Sequence, residues 1–179
     1  MSLGGWHMTI KKLETIHLAG GCFWGVEEYY RRLQGIVHTS VGYAQGNTEN
    51  PTYKEVCSGE TGYVETVEVT YDPKEISLVQ ILDHLFRMID PTLLNRQGND
   101  IGTQYRTGIY TNDHNDLLIA KDFVESRQSF YDQPIKTEVE MLRNYHLAEP
   151  MHQMYLEVNP QSYCHIDFSL IKEDELKTN

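Results

Sequence analysis

A cysteine set between glycines and two large aromatics, Gly20-Gly21-Cys22-Phe23-Trp24-Gly25, is the stretch of this chain whose residue types point most directly to chemistry. The thiolate is the reactive form of cysteine, and it is favoured at a helix N-terminus, where unpaired backbone N–H groups and the helix dipole gather. Before it, Thr15 to Ala19 alternate and run apolar as a strand does. After it, Val26, Tyr29, Tyr30 and Leu33 recur at helical spacing, with Glu27, Glu28, Arg31 and Arg32 between them. Cys22 therefore falls at a strand-to-helix junction. Most free cysteines are small buried hydrophobes. Here the flanking glycines permit close approach of a second molecule to the backbone, and Phe23 and Trp24, hard to bury together on an opening turn, read as pocket walls.

Cys57 and Cys164 complete an odd and widely spaced set of three cysteines, which argues against a disulfide scaffold. The chain has neither a Cys-x-x-Cys nor a His-Glu-x-x-His, so zinc has no local support despite eight histidines. Separated thiols fit transient redox chemistry in a reducing compartment. Cys57, inside Tyr53-Lys54-Glu55-Val56-Cys57, reads as an inert filler.

The elements that must position Cys22 are strands alternating with helices. Ile36 to Tyr43 reads as a strand, residues 45–51 as a polar loop, and Tyr63 to Tyr71 as the clearest alternating strand, ended by Asp72-Pro73. Ser77 caps a helix burying Leu78, Ile81, Leu82, Leu85, Phe86 and Ile89. A strand at about Tyr105 to Thr111 precedes a long helix from Asp113 to Phe130, with Leu117, Ile119, Ala120 and Phe123 as packing positions. Ile135 to Leu142 is a further strand, and a short helix from about Glu149 to Asn159 leads into an irregular C-terminal segment. The pattern predicts an α+β fold, helices on a mixed, mostly antiparallel sheet.

At 179 residues the chain suits one domain, residues 9–179, behind a lead or expression remnant at 1–8. Fifteen Lys and Arg against 26 Asp and Glu give a net charge of −11, so neither nucleic acid nor anionic membrane is an expected partner. No apolar run suits a membrane span or signal peptide. A soluble, cytoplasmic monomer is expected.

Gly21-Cys22-Phe23-Trp24, then Gly42-Tyr43, Asn50-Pro51-Thr52-Tyr53, Glu55-Val56-Cys57-Ser58-Gly59, and the run from Arg96 to Arg106 together resemble the A-type peptide methionine sulfoxide reductases. The match runs from about residue 15 to 168 in the family's order and spacing. It implies reduction of the S epimer of methionine sulfoxide, free or in proteins, one enzyme type serving each epimer. It also implies a two-layer α+β sandwich related to the split βαβ, ferredoxin-like type, with irregular segments around it.

Reducing a sulfoxide with a thiol needs a nucleophile for its sulfur and a proton for its oxygen, the latter from a partly protonated carboxylic acid or a phenol. Cys22 has the setting of a nucleophile. Glu65, judged by its strand alone, reads as a solvated residue; by resemblance, Gly62-Tyr63-Val64-Glu65 matches the family's Gly-x-x-Glu, whose glutamate is the acid. Tyr63 stands where the family often has His. The resemblance assigns Tyr53 and Tyr105 to the substrate oxygen, Asp100 to substrate binding, Phe23 and Trp24 to an apolar cage around the terminal methyl, and Cys164 to resolving a Cys22 sulfenic acid as a disulfide. No cysteine follows Cys164, so the relay ends there, with thioredoxin or a similar dithiol as reductant and no bound cofactor or metal. A nearby Glu65 carboxylate opposes a Cys22 thiolate, so the two titrate together. Two rival readings, a thiol peroxidase and a non-catalytic binder of methionine or its oxide, share the cysteine or the aromatics but do not call for the full set.

Overall fold

Strand β1 (Glu14–Gly20) runs into helix α1 (Phe23–Arg31), followed by β2 (Ile36–Ala44), the short helix α2 (Tyr53–Cys57) and β3 (Val64–Tyr71). Then come α3 (Leu78–Met88), a small hairpin of β4 (Arg96–Gln97) and β5 (Asp100–Ile101), β6 (Thr107–Thr111), α4 (His114–Arg127), β7 (Glu138–Met141), β8 (His146–Leu147) and α5 (Tyr155–Val158). This computed structural model describes residues 10–178, so the lead expected at 1–8 lies outside the described residues.

The main sheet has the order β7-β6-β1-β3-β2-β8, antiparallel throughout except for the parallel pair β6 and β7. Its centre, β6-β1-β3-β2, together with α1 and α3 as the two crossovers, is the ferredoxin-like arrangement expected from the resemblance. Alternate residues of each strand divide between the faces. Ile16, Leu18, Val41, Tyr43, Val67, Val69 and Ile109 pack against Val26, Tyr29, Ile81, Leu82 and Leu85 of the helices, while Ala19, Ala44, Val64 and Tyr110 form a smaller cluster on the other face, packed by Leu142 and Tyr145. This is the two-layer α+β sandwich of the sequence reading.

Local chemistry fixes the helix starts. Ser77 accepts from the Gln80 N–H while Gln80 reaches back to Ser77, and Thr52 and Glu55 form the same reciprocal cap on α2, a short helix that follows the polar loop at 45–51 and that periodicity does not predict. The long helix ends earlier than expected, passing into a 3₁₀ turn at Gln128–Phe130. Of its four expected packing residues, Ala120 and Phe123 are buried, Leu117 is half-buried and Ile119 is 38% exposed. The stripe that meets the core runs through Ala120, Phe123 and Val124, and Ile119 sits at its shoulder.

Candidate active site

Cys22 is the residue before the first turn of α1, and its side chain caps nothing. Gly21 takes a φ of +89°, which favours glycine, and a Cβ there would lie 2.8 Å from Gln97 Cβ and 3.1 Å from His165 Nε2. The close approach that these glycines allow is thus taken by the chain's own segments, not by a second molecule. Burial pushes the Cys22 thiol up, the Glu65 and Asp100 charges push the same way, and the backbone N–H of Trp24 opposes them. The thiolate expected from the helix terminus is therefore outweighed by desolvation, and the resting group is a thiol.

Glu65 is 1% exposed. It lies on β3 opposite Tyr43 and shares the core-facing parity of Val67, Val69 and Tyr71, which corrects its reading as a solvated strand residue. Its Oε2 accepts the Phe23 N–H at 3.0 Å, and its Oε1 has no partner among the described residues. Burial pushes its pKa up to about 8, helped by Asp100 and opposed by the Phe23 N–H. Burial thus biases this carboxyl toward its protonated form at neutral pH.

A cavity of about 330 Å³ opens over Cys22, with Trp24, Tyr53, Tyr105, Asp100, Tyr155 and Cys164 among its walls. Phe23 is not a wall: its ring is buried in the core, 5.8 Å from Tyr43 and 5.7 Å from His152. The Trp24 indole stacks on Tyr155 with ring centres 3.8 Å apart and donates from Nε1 to His152 Nδ1 at 3.2 Å. Tyr53 lies 4.4 Å from the same imidazole. Burial raises both Tyr53 and Tyr105, and the Glu65 charge raises each further, so both phenols stay protonated. Cys164 is half-buried and docked, its sulfur accepting the Ile166 N–H at 3.3 Å, and all three cysteines are free thiols. A larger groove of about 610 Å³ along the outer edge of β2, walled by Val37, His38, Leu147 and Met154, contains no thiol.

Residues 14–179 match the sequence profile of the peptide methionine sulfoxide reductases. The chain belongs to that family. It is 50% identical over 162 residues to the peptide methionine sulfoxide reductase MsrA of Ureaplasma parvum, which covers 90% of this chain and 98% of the relative. Among solved structures it is similar to methionine sulfoxide reductase A of Corynebacterium diphtheriae (TM-score 0.82, 41% identity, 85% of this chain and 77% of that one). It is also similar to Mxr1 of Saccharomyces cerevisiae in reduced form (TM-score 0.80, 40% identity, 86% and 89%) and in complex with Trx2 (TM-score 0.57, 29% identity, 83% and 91%). The protein is thus an oxidoreductase of methionine sulfoxide. Among the described residues no helix is long and apolar enough to cross a membrane.

Several residues that build this reductase site carried no signal in the sequence reading. His152 and Tyr155 come from the segment read as a short helix, which is a 3₁₀ turn at Pro150–His152 followed by α5. Two glutamates fasten that segment. Buried Glu27 of α1 accepts from Met154 N at 2.9 Å and Thr39 Oγ1 at 3.0 Å, and Glu149 accepts from Tyr43 Oη at 3.0 Å and Tyr53 N at 3.2 Å. Arg106 donates to the Thr103 and Gly62 carbonyls, both at 2.9 Å, and pairs with Glu138 at 3.0 Å, tying the turn that carries Tyr105 to the start of β3. Glu27 was legible only as the polar face of a helix. A carboxylate aligned with buried neighbours would have marked it.

Tyr63, the departure from the family's frequent His, is buried, donates to the Thr48 carbonyl and meets His146 edge-on. It closes the loop after β2. Cys57 is half-buried beside the Tyr53 phenol, near enough to feel the Glu65 charge.

Proposed function

We propose that this chain reduces methionine-S-sulfoxide, free and in proteins, to methionine, with Cys22 as nucleophile, Glu65 as proton donor and Cys164 as resolving thiol. The observation that carries the proposal is a thiol on a helix terminus beside a buried carboxyl with one oxygen unpartnered among the described residues, under a cavity walled by an indole.

The Cys22 sulfur bonds to the substrate sulfur while the sulfoxide oxygen takes the proton of Glu65, which the Cys22 thiol replaces. The net step moves oxygen from the substrate to Cys22: the sulfoxide loses it and is reduced by two electrons, and the thiol becomes a sulfenic acid, oxidised by two. With Oε2 engaged by Phe23, the proton of Glu65 is available at Oε1. Tyr53 and Tyr105 add phenolic donors, and Asp100 lies beside them as a polar contact for substrate. Trp24 takes the methyl, with Phe23 packed behind it. The R epimer exchanges methyl and oxygen, burying an oxygen against the indole without a donor, which is costly.

Cys164 then attacks the Cys22 sulfenic sulfur; the S–O bond breaks, water leaves, and a Cys22–Cys164 disulfide remains for a dithiol reductant. The solved complex of yeast Mxr1 with Trx2 supports thioredoxin in that role. We read residues 9–179 as one catalytic domain acting in a reducing compartment, with the C-terminal segment as part of the site.

The deciding test mixes reduced protein with racemic methionine sulfoxide without reductant, following the epimer consumed and the intact mass. The expected result is loss of the S epimer only, with about 2 Da lost from the protein and Cys22 linked to Cys164; a stable gain of about 16 Da would remove Cys164 as resolver. Unchanged protein and substrate would overturn the reading. Trp24→Ala is expected to lower kcat/KM about tenfold or more, mainly through KM, as the methyl loses its wall; steady-state kinetics on the S epimer check it.

A further inference from the structure

The third residue of α1 has no side chain, and another part of the molecule fills the space. A Cβ built on Gly25 would lie 2.5 Å from Cys164 Sγ and 2.7 Å from Ile166 Cγ1. Real Cβ atoms essentially never approach so closely. Gly25 is helical and has no positive φ, so its backbone does not demand glycine. Alanine is the better helix former. What glycine supplies here is room.

The segment that fills this room is held on both sides of the cysteine. His165 donates from Nε2 to the Gly20 carbonyl at 3.1 Å, just before Cys22, and packs against Gly98, where a Cβ would meet its own at 3.2 Å. The Ile166 N–H points at the Cys164 sulfur. Positions 22 and 25 are one helical turn apart, so a sulfur resting on Gly25 lies over the turn that Cys22 begins.

We propose that Gly25 is a positioning residue for the second half of turnover: the missing side chain leaves a notch in the first turn of α1 that seats the Cys164 sulfur beside Cys22 before the sulfoxide arrives. The proposal rests on Cys164 being the resolving thiol. In the step it serves, the Cys164 sulfur bonds to the Cys22 sulfenic sulfur, the S–O bond breaks, and hydroxide leaves as water with the Cys164 proton. A sulfenic acid whose partner is displaced survives longer and can be oxidised irreversibly by peroxide.

The experiment compares the parent, Gly25→Ala and Cys164→Ser as full chains, reduced and given methionine sulfoxide once. Methionine release, intact mass and capture by a sulfenic-acid probe such as dimedone are followed together. Gly25→Ala is expected to release methionine as a single burst yet close its disulfide about 100-fold more slowly than the parent, the scale of a 1 Å misplacement. The sulfenic acid is trapped meanwhile. Thioredoxin-driven turnover falls with closure, and dithiothreitol, which reduces the sulfenic acid directly, restores it.

Parental closure in Gly25→Ala, with sulfenic acid accumulating in Cys164→Ser, would overturn the notch and leave Cys164 in its role. Failure of Cys164→Ser to accumulate sulfenic acid would overturn the reading beneath it. Equal loss of burst and closure in Gly25→Ala would also count against the notch, since the glycine would then serve Cys22. If Gly25→Ala does not fold, the pair Gly25→Ala with Ile166→Ala clears one clash, keeps the sulfur's, and is read in the same way.

Discussion

Glu65→Gln slows sulfoxide reduction by about 10²- to 10⁴-fold, the range over which a positioned proton donor acts. Glutamine retains an acceptor for the Phe23 N–H and nearly the same shape, so the loss isolates the proton. The parent's pH profile follows from the same group. Its folded pKa of about 8 lies above the ordinary carboxylate value, so the acid is loaded below that pH and emptied above it. Single-turnover methionine formation therefore declines as pH rises through about 8, and Glu65→Gln lacks this limb. The charge of Glu65 also raises the Cys22 thiol, so alkylation of Cys22 shifts to lower pH in the variant. An unchanged alkylation profile would show that the two groups titrate independently.

A large effect on stability is expected at Gly42, the seventh of the nine residues of β2. A Cβ there would stand on the His146 carbonyl oxygen and 2.6 Å from the Tyr145 ring, and β8 pairs with β2 at this residue. A backbone carbonyl fixed by a strand pairing has nowhere to go. Gly42→Ala is expected to cost about 1–3 kcal/mol or more, as overpacked cores do. For a chain of this length each kcal/mol lowers the melting temperature by roughly 2–4 °C. Activity is expected to fall with it, because β8 leads into the segment whose Tyr155 lines the cavity. Thermal melting with steady-state kinetics tests both parts; an unshifted melting temperature would mean that β8 yields.

The order of strands and helices was legible because periodicity reports burial, and burial is what the sheet and helix faces share. Glu65 carried a readable sign as well: counting by twos from Tyr71 through Val69 and Val67 lands on it, so a carboxyl sits at a position where the strand turns inward. Alternation read loosely hid this, since Thr66 and Glu68 are polar too. Phe23 was misjudged as a wall because the strand-to-helix corner gives its ring a core site beside Tyr43 while Trp24 faces the cavity. His152 and Tyr155 were out of reach for a different reason. They arrive through an irregular segment whose course is set by side chains of distant elements, and Met154 in its left-handed conformation is pinned by Glu27, 127 positions away. Local pattern holds no record of such contacts.

An indole and a phenol ring make as good a berth for an ordinary methionine as for its oxide, and every protein surface offers far more of the ordinary kind. In the proposed reaction the Glu65 oxygen that has no partner among the described residues would tell them apart. A thioether brings it only a weak sulfur acceptor, whereas a sulfoxide brings a strong one. A buried polar group left unmet costs about 1–3 kcal/mol, which makes a preference of roughly 5- to 150-fold. The same oxygen loses its bond once the substrate's oxygen has gone. On that mechanism the repaired side chain is the weaker ligand and is expected to vacate the site to the next lesion.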